Sequence, residues 1–90
     1  MRLRFNFQGE VQGVGFRATA VRLARGFPVT GFVRNEEDGS VWMEVQGAIE
    51  NIERFAHALQ KSSVGKGIRE EQRTLAAPVD TETEFVLRSY

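Results

Sequence analysis

The sequence contains no cysteine, which excludes disulfides, thiolate metal sites and any cysteine nucleophile, including phosphatase chemistry through a cysteinyl phosphate. It has no net charge either, because 12 basic residues balance 12 acidic ones. The molecule as a whole therefore has no electrostatic footprint for nucleic acid or an anionic membrane, and any anion must be held locally. No apolar run approaches the roughly 18 residues that cross a bilayer. The opening MRLRFNFQGE alternates apolar and polar residues where a secretion signal needs a continuous apolar stretch. A cytoplasmic location is the default expectation.

What is present suits one domain over residues 1–90, large enough for a single two-layer core. RLRFNF places Leu3, Phe5 and Phe7 on one face and Arg2, Arg4 and Asn6 on the other, the period of a half-buried strand. Phe16, Ala20, Leu23, Ala24 and Phe27 recur at helical spacing, with Gly26 and Pro28 as the stop. VTGFVRN and SVWMEVQ are β-rich runs joined by EEDG, where Asp38-Gly39 is expected to supply the positive φ angles of a tight hairpin. From Ala48 to about Lys61, Ile49, Ile52, Phe55, Ala56 and Leu59 form a second apolar stripe. IREEQRTL has only Ile68 and Leu75 as strongly apolar residues and reads as a marginal edge strand. TEFVLRSY, with its Phe85/Leu87 and Val86/Tyr90 arrangement, reads as the closing strand. The order β-α-β-β-α-β, with a short fifth strand possible, predicts an α+β ferredoxin-like sandwich, two helices covering one face of an antiparallel sheet. That fold hosts many functions and decides none.

The chemistry is concentrated in QGEVQGVGFR, where Gly9, Gly13 and Gly15 deliver the chain to a helix that opens on Arg17. A cation at a helix N-terminus costs about 0.3–1 kcal/mol unless an anion offsets it. A glycine-rich turn at such a terminus is itself an anion receptor, because its N–H groups point outward and glycine permits close approach. Arg17 would add a bidentate guanidinium clamp on phosphate, sulfate or carboxylate. Taken alone, a glycine-rich loop is more often only a tight turn; the helix-opening arginine tips the reading towards function. Asn35 ends the second strand just before the hairpin. An asparagine there commonly just initiates a turn, but a split β-α-β topology can bring it near Arg17, where its amide can hold a water beside a bound phosphoryl group.

GEVQGVGFR followed by GFVRNEEDGSV resembles the acylphosphatase family, most closely from Gly9 to Gly47 and more loosely from Leu3 to Arg88. The resemblance implies hydrolysis of a carboxyl-phosphate anhydride to a carboxylate and inorganic phosphate. It implies Arg17 as the phosphate-binding catalytic arginine and Asn35 as the residue that orients the attacking water. The substrate-binding loop would be Gln12, Gly13, Val14, Gly15 and Phe16, whose amides cradle the phosphoryl oxygens. It also implies no metal and no organic cofactor. Neither motif offers a cysteine, histidine or loop serine as nucleophile, so water is expected to attack directly. The expected partner is a small-molecule acyl phosphate, with no nucleic acid and no membrane, and the expected state is a monomer.

Two positions depart from the family pattern: Glu10 stands where many relatives carry a basic residue, and Gly15 where many have an aromatic one. An inward Glu10 carboxylate would weaken anion binding; a solvent-facing one would be nearly harmless. Gly15 also occurs in acylphosphatase-like domains of hydrogenase-maturation carbamoyltransferases, although a chain this short favours a free-standing enzyme over an excised domain. Glu36, Glu37 and Asp38 read as a solvated turn rather than a metal site, and His57, the sole histidine, as a partly buried structural residue. Trp42 alternates out of phase with Val41, Met43 and Val45, which places it on the open sheet face. That single aromatic is the only support for the competing class, an RNA-binding module, and no ribonucleoprotein motif or positive charge accompanies it. A third reading retains the anion site as a sensor. Nothing in the sequence outlines a pocket for the acyl group.

Overall fold

The structure, a computed structural model, describes residues 1–89. Five strands and two helices follow in the order β1 (Arg2–Gly9), α1 (Phe16–Ala24), β2 (Thr30–Asn35), β3 (Val41–Gln46), α2 (Ile49–Lys61), β4 (Ile68–Leu75) and β5 (Phe85–Arg88), with a single 3-10 turn at Ser63–Gly67 before β4. The strands form one sheet in the order β4-β1-β3-β2-β5. This is the expected ferredoxin-like arrangement, with one departure: β5 pairs parallel to β2, Leu87 opposite Val33, so the sheet is mixed rather than antiparallel. The parallel pair arises because the chain crosses from one sheet edge to the other between β4 and β5, and alternating periodicity carries no record of that crossing. Tyr90 lies outside the described residues.

The helices bury one sheet face. Phe5, Phe7, Val33, Val41, Met43 and Val45 from the strands meet Phe16, Ala20 and Ala24 of α1 and Ile52, Phe55, Ala56 and Leu59 of α2. α1 ends at Ala24, before Phe27; the turn beyond it still returns Phe27 to the core, 6.0 Å from Phe55 between ring centroids. β4 is a full edge strand whose pattern is weak because its helix-facing side is polar. There Arg73 bonds Glu53 and Glu71, and Gln60 Nε2 donates to Glu71 at 2.6 Å. His57 is exposed rather than partly buried.

The opposite sheet face is covered at one end only. Arg2, on the polar face of its strand, is just 2% exposed. Its guanidinium donates to Glu44 at 2.7 Å, to Gln46 at 3.2 Å and to both carboxylate oxygens of Glu82 at 2.8 and 3.1 Å. Glu82 belongs to the 76–84 crossover, which Gln46 also grips through Val79 in both directions. Every one of these polar groups is partnered, which is the condition for burying a charge without net loss.

Candidate active site

The site is built at the other end of the sheet by a loop pinned on both sides. Val11 and Phe16 are buried, and Phe16 packs 5.2 Å from Phe7, which fixes the start of α1 against β1. Burying a phenylalanine stabilises by roughly 1.5–3 kcal/mol, enough to hold the loop's ends while its apex stays open. Between those anchors Gly13 and Gly15 adopt φ of 75° and 84°. A Cβ at either would meet nothing within 4 Å, so glycine is required there by the left-handed backbone and not by crowding.

That backbone leaves the start of α1 bare. Gly15 is the N-cap with no side-chain cap, and the first turn holds no acidic residue. The amides from Val11 to Ala18 donate to no other backbone group among the described residues, leaving the donors and positive dipole end that attract an anion. Gln12 contributes in a way the sequence did not announce. Its side-chain amide donates to the carbonyls of Glu36 at 2.7 Å and Ser40 at 2.9 Å, so it clamps the loop to the β2–β3 hairpin and leaves only its backbone N–H for a ligand.

The hairpin is wider than the Asp38-Gly39 turn expected. Gly39 alone has positive φ, at 93°, and the turn closes by Glu36 N–H donating to Ser40 at 2.9 Å. Asp38 caps it, accepting from the Ser40 amide at 2.9 Å and hydroxyl at 2.6 Å; the Ser40 hydroxyl and N–H hold its carboxyl below the usual range. Glu36 pairs with Arg34 at 3.0 Å. These partners account for Glu36 and Asp38 as turn chemistry, and Glu37 is exposed.

Val11, Gly13, Gly15, Phe16, Arg17, Ala18, Asn35 and Leu87 line one cavity of about 160 Å³. It has room for about five waters at ~30 Å³ each, enough for a tetrahedral oxyanion with a water beside it. Asn35 reaches it from the end of β2, although β3 separates β2 from β1, and its side-chain amide has no hydrogen-bond partner among the described residues. Arg17 has no acidic partner among those residues; one Nη donates at 3.4 Å to the carbonyl of Arg88, at the end of β5. Neither Gln12 nor Val14, the latter 49% exposed at the loop apex, lines the cavity. Glu10 is 78% exposed beside Arg69, 3.9 Å away, and outside the cavity lining, the arrangement in which its charge matters least. Trp42 is on the open face as expected, but Arg4 and Arg34 lie over its ring at 4.5 and 4.6 Å, and its indole N–H donates to Glu44 at 3.0 Å. Sequence reasoning missed Leu87, whose alternation marks it only as a strand residue.

Fold and cavity together define a ferredoxin-like α+β domain with a small cavity at the start of its first helix. A model of the acylphosphatase family matches residues 3–87. An acylphosphatase of Oceanobacillus iheyensis is 34% identical over 87 residues, 96% of each chain. The crystal structure of an acylphosphatase from Bacillus subtilis superposes with a TM-score of 0.86 at 25% identity, covering 97% of each chain. HypF of T. kodakarensis superposes with a TM-score of 0.85 at 29% identity, covering all of this chain and 12% of that one. The chain belongs to the acylphosphatase family, and acylphosphatase activity, a hydrolase activity, follows from that membership.

Proposed function

We propose that the cavity at the start of α1 is the catalytic site and that it hydrolyses acyl phosphates by direct attack of water on phosphorus. The observation that carries this reading is the convergence of the unpaired loop amides, Arg17 and the Asn35 amide on one cavity with room for a phosphate and a water. The amides of Gln12 to Phe16 donate hydrogen bonds to the phosphoryl oxygens, and Arg17 neutralises their charge. Asn35 holds a water in line with the bond to the acyl oxygen. The water oxygen bonds to phosphorus as the acyl oxygen–phosphorus bond breaks; its electron pair leaves on the carboxylate, and the water proton passes to the phosphate. Because a carboxylate is a good leaving group, positioning and charge stabilisation suffice and no protein base is required. The step uses no metal and no organic cofactor, and a monomeric cytoplasmic enzyme carries it out as one domain.

The decisive experiment follows benzoyl phosphate hydrolysis by the purified protein in the presence of a chelator, with Arg17→Ala as control. Turnover that resists the chelator and disappears in Arg17→Ala is expected. Turnover equal in the two proteins would refute the assignment of the site.

A further inference from the structure

The phosphoryl group and the attacking water proposed above take up the 160 Å³ cavity, so an extended acyl group must leave it. Leu87, on β5, lines that cavity and also a larger one of about 510 Å³ between α1 and β5. The larger cavity falls within the roughly 300–1,000 Å³ typical of small-molecule sites. Its lining includes the apolar side chains of Val21, Ala24, Phe27, Val29 and Phe85 beside Leu87, with Arg25 and Glu84 at the end of the helix away from the anion cavity, so that the surface it presents is mixed and more polar than apolar. Arg17 and Ala18 border the first cavity, and Val21, Ala24 and Arg25 the second. These positions follow one another at helical spacing along a single face of α1. The groove therefore starts at the anion receptor and runs along the helix for about 12 Å, eight residues at 1.5 Å each. Leu87 is 45% exposed where the two cavities meet.

We infer that this groove is the acyl subsite, and that the preferred substrates are acyl phosphates with an extended apolar acyl group. The inference rests on the phosphate site proposed above. A linear aliphatic or aryl chain bonded to the phosphoryl group passes over Leu87 and lies against Val21 and Phe85, with its far end open to solvent near Arg25. Carbamoyl and acetyl groups are too short to extend along the groove, where Val21, Phe85 and Leu87 offer apolar contact before the chain reaches Arg25 and Glu84. Binding of this kind is the same in ground and transition states, so it acts on KM more than on kcat.

The test measures kcat and KM for acetyl, butanoyl, hexanoyl, octanoyl and carbamoyl phosphate, with wild type, Leu87→Asp and Leu87→Met. Half-burial in an open groove gives about a twofold gain in kcat/KM per added methylene, so octanoyl phosphate, six methylenes longer, is expected to exceed acetyl phosphate by about 60-fold, mainly through KM. Leu87→Asp should cut that ratio by about tenfold and Leu87→Met should restore it. Inhibition by the product octanoate, but not acetate, gives a readout independent of turnover and should weaken in Leu87→Asp. Equal kcat/KM along the series, or a preference for carbamoyl phosphate, overturns the acyl subsite and leaves the hydrolase assignment standing. Absence of turnover with every substrate overturns the hydrolase assignment, and the subsite with it.

Discussion

Two arginines at opposite ends of the sheet are treated in opposite ways. Arg2 is buried, and its guanidinium is shared between Glu44, Gln46 and Glu82. Arg17 opens α1 among unpaired amides and touches only a carbonyl, that of Arg88 at 3.4 Å. The first is a cation whose charge is spent on the fold; the second is a cation the fold leaves uncompensated. Unpaired positive groups clustered at one point cost stability, and the cost is recovered only when an anion arrives. The contrast separates the structural arginine from the proposed functional one without reference to either motif.

If that distinction is right, removing each arginine damages a different quantity. Arg17→Ala should lower kcat/KM for benzoyl phosphate by about 10³-fold or more, the scale of a guanidinium that meets transition-state charge, while its denaturation midpoint stays near that of the wild type. Arg2→Met should do the reverse. Breaking a buried ion pair from one side costs about 3 kcal/mol or more, a fall in Tm of about 12 °C or more for a domain of this size. Benzoyl phosphate turnover per folded molecule should be unchanged. Matched losses of stability in the two variants would erase the distinction.

Within the site, Asn35 is expected to act on a different term from Arg17. Asn35→Ala removes the group proposed to align the water and leaves the loop amides in place, so kcat should fall by about 10²-fold with little change in KM. A fall in affinity for inorganic phosphate equal to that of Arg17→Ala would instead make Asn35 part of the phosphate receptor.

The sequence disclosed these two ends unequally. Local pattern carries the end proposed as functional: positive-φ glycines, a helix-opening arginine and a strand-ending asparagine are each readable within a few residues of chain. Alternation likewise placed Phe5 and Phe7 in the core and Trp42 on the open face. Alternation puts Arg2 only on the polar face of its strand, because its cover, the 76–84 crossover, lies far away in the chain and has no periodicity of its own. The same long-range connection makes β5 parallel to β2 and seats Leu87 beside the anion cavity. Gln12 was legible as a loop residue, but its clamp on the hairpin depends on a contact 24 residues away. What escaped was non-local pairing, for which one strand's alternation contains no information.

The smallest of the expected effects is a pH dependence confined to the Arg2 end. Burial pushes the Glu44 carboxyl upward, but hydrogen bonds from Arg2 and Trp42 and the charges of Arg2 and Arg4 outweigh it and hold Glu44 below its ordinary value of 4.5. A carboxylate depressed in the folded state binds fewer protons there than in the unfolded chain. Its contribution to stability is therefore complete above about pH 4.5 and is lost as the pH falls through the folded value. Urea denaturation at pH 6 and at pH 3.5 should show the wild type losing stability on acidification. Glu44→Gln should start less stable at pH 6, because Arg2 has lost a charged partner, and should lose less between the two values. An equal acid loss in both proteins would move the acid sensitivity away from Glu44.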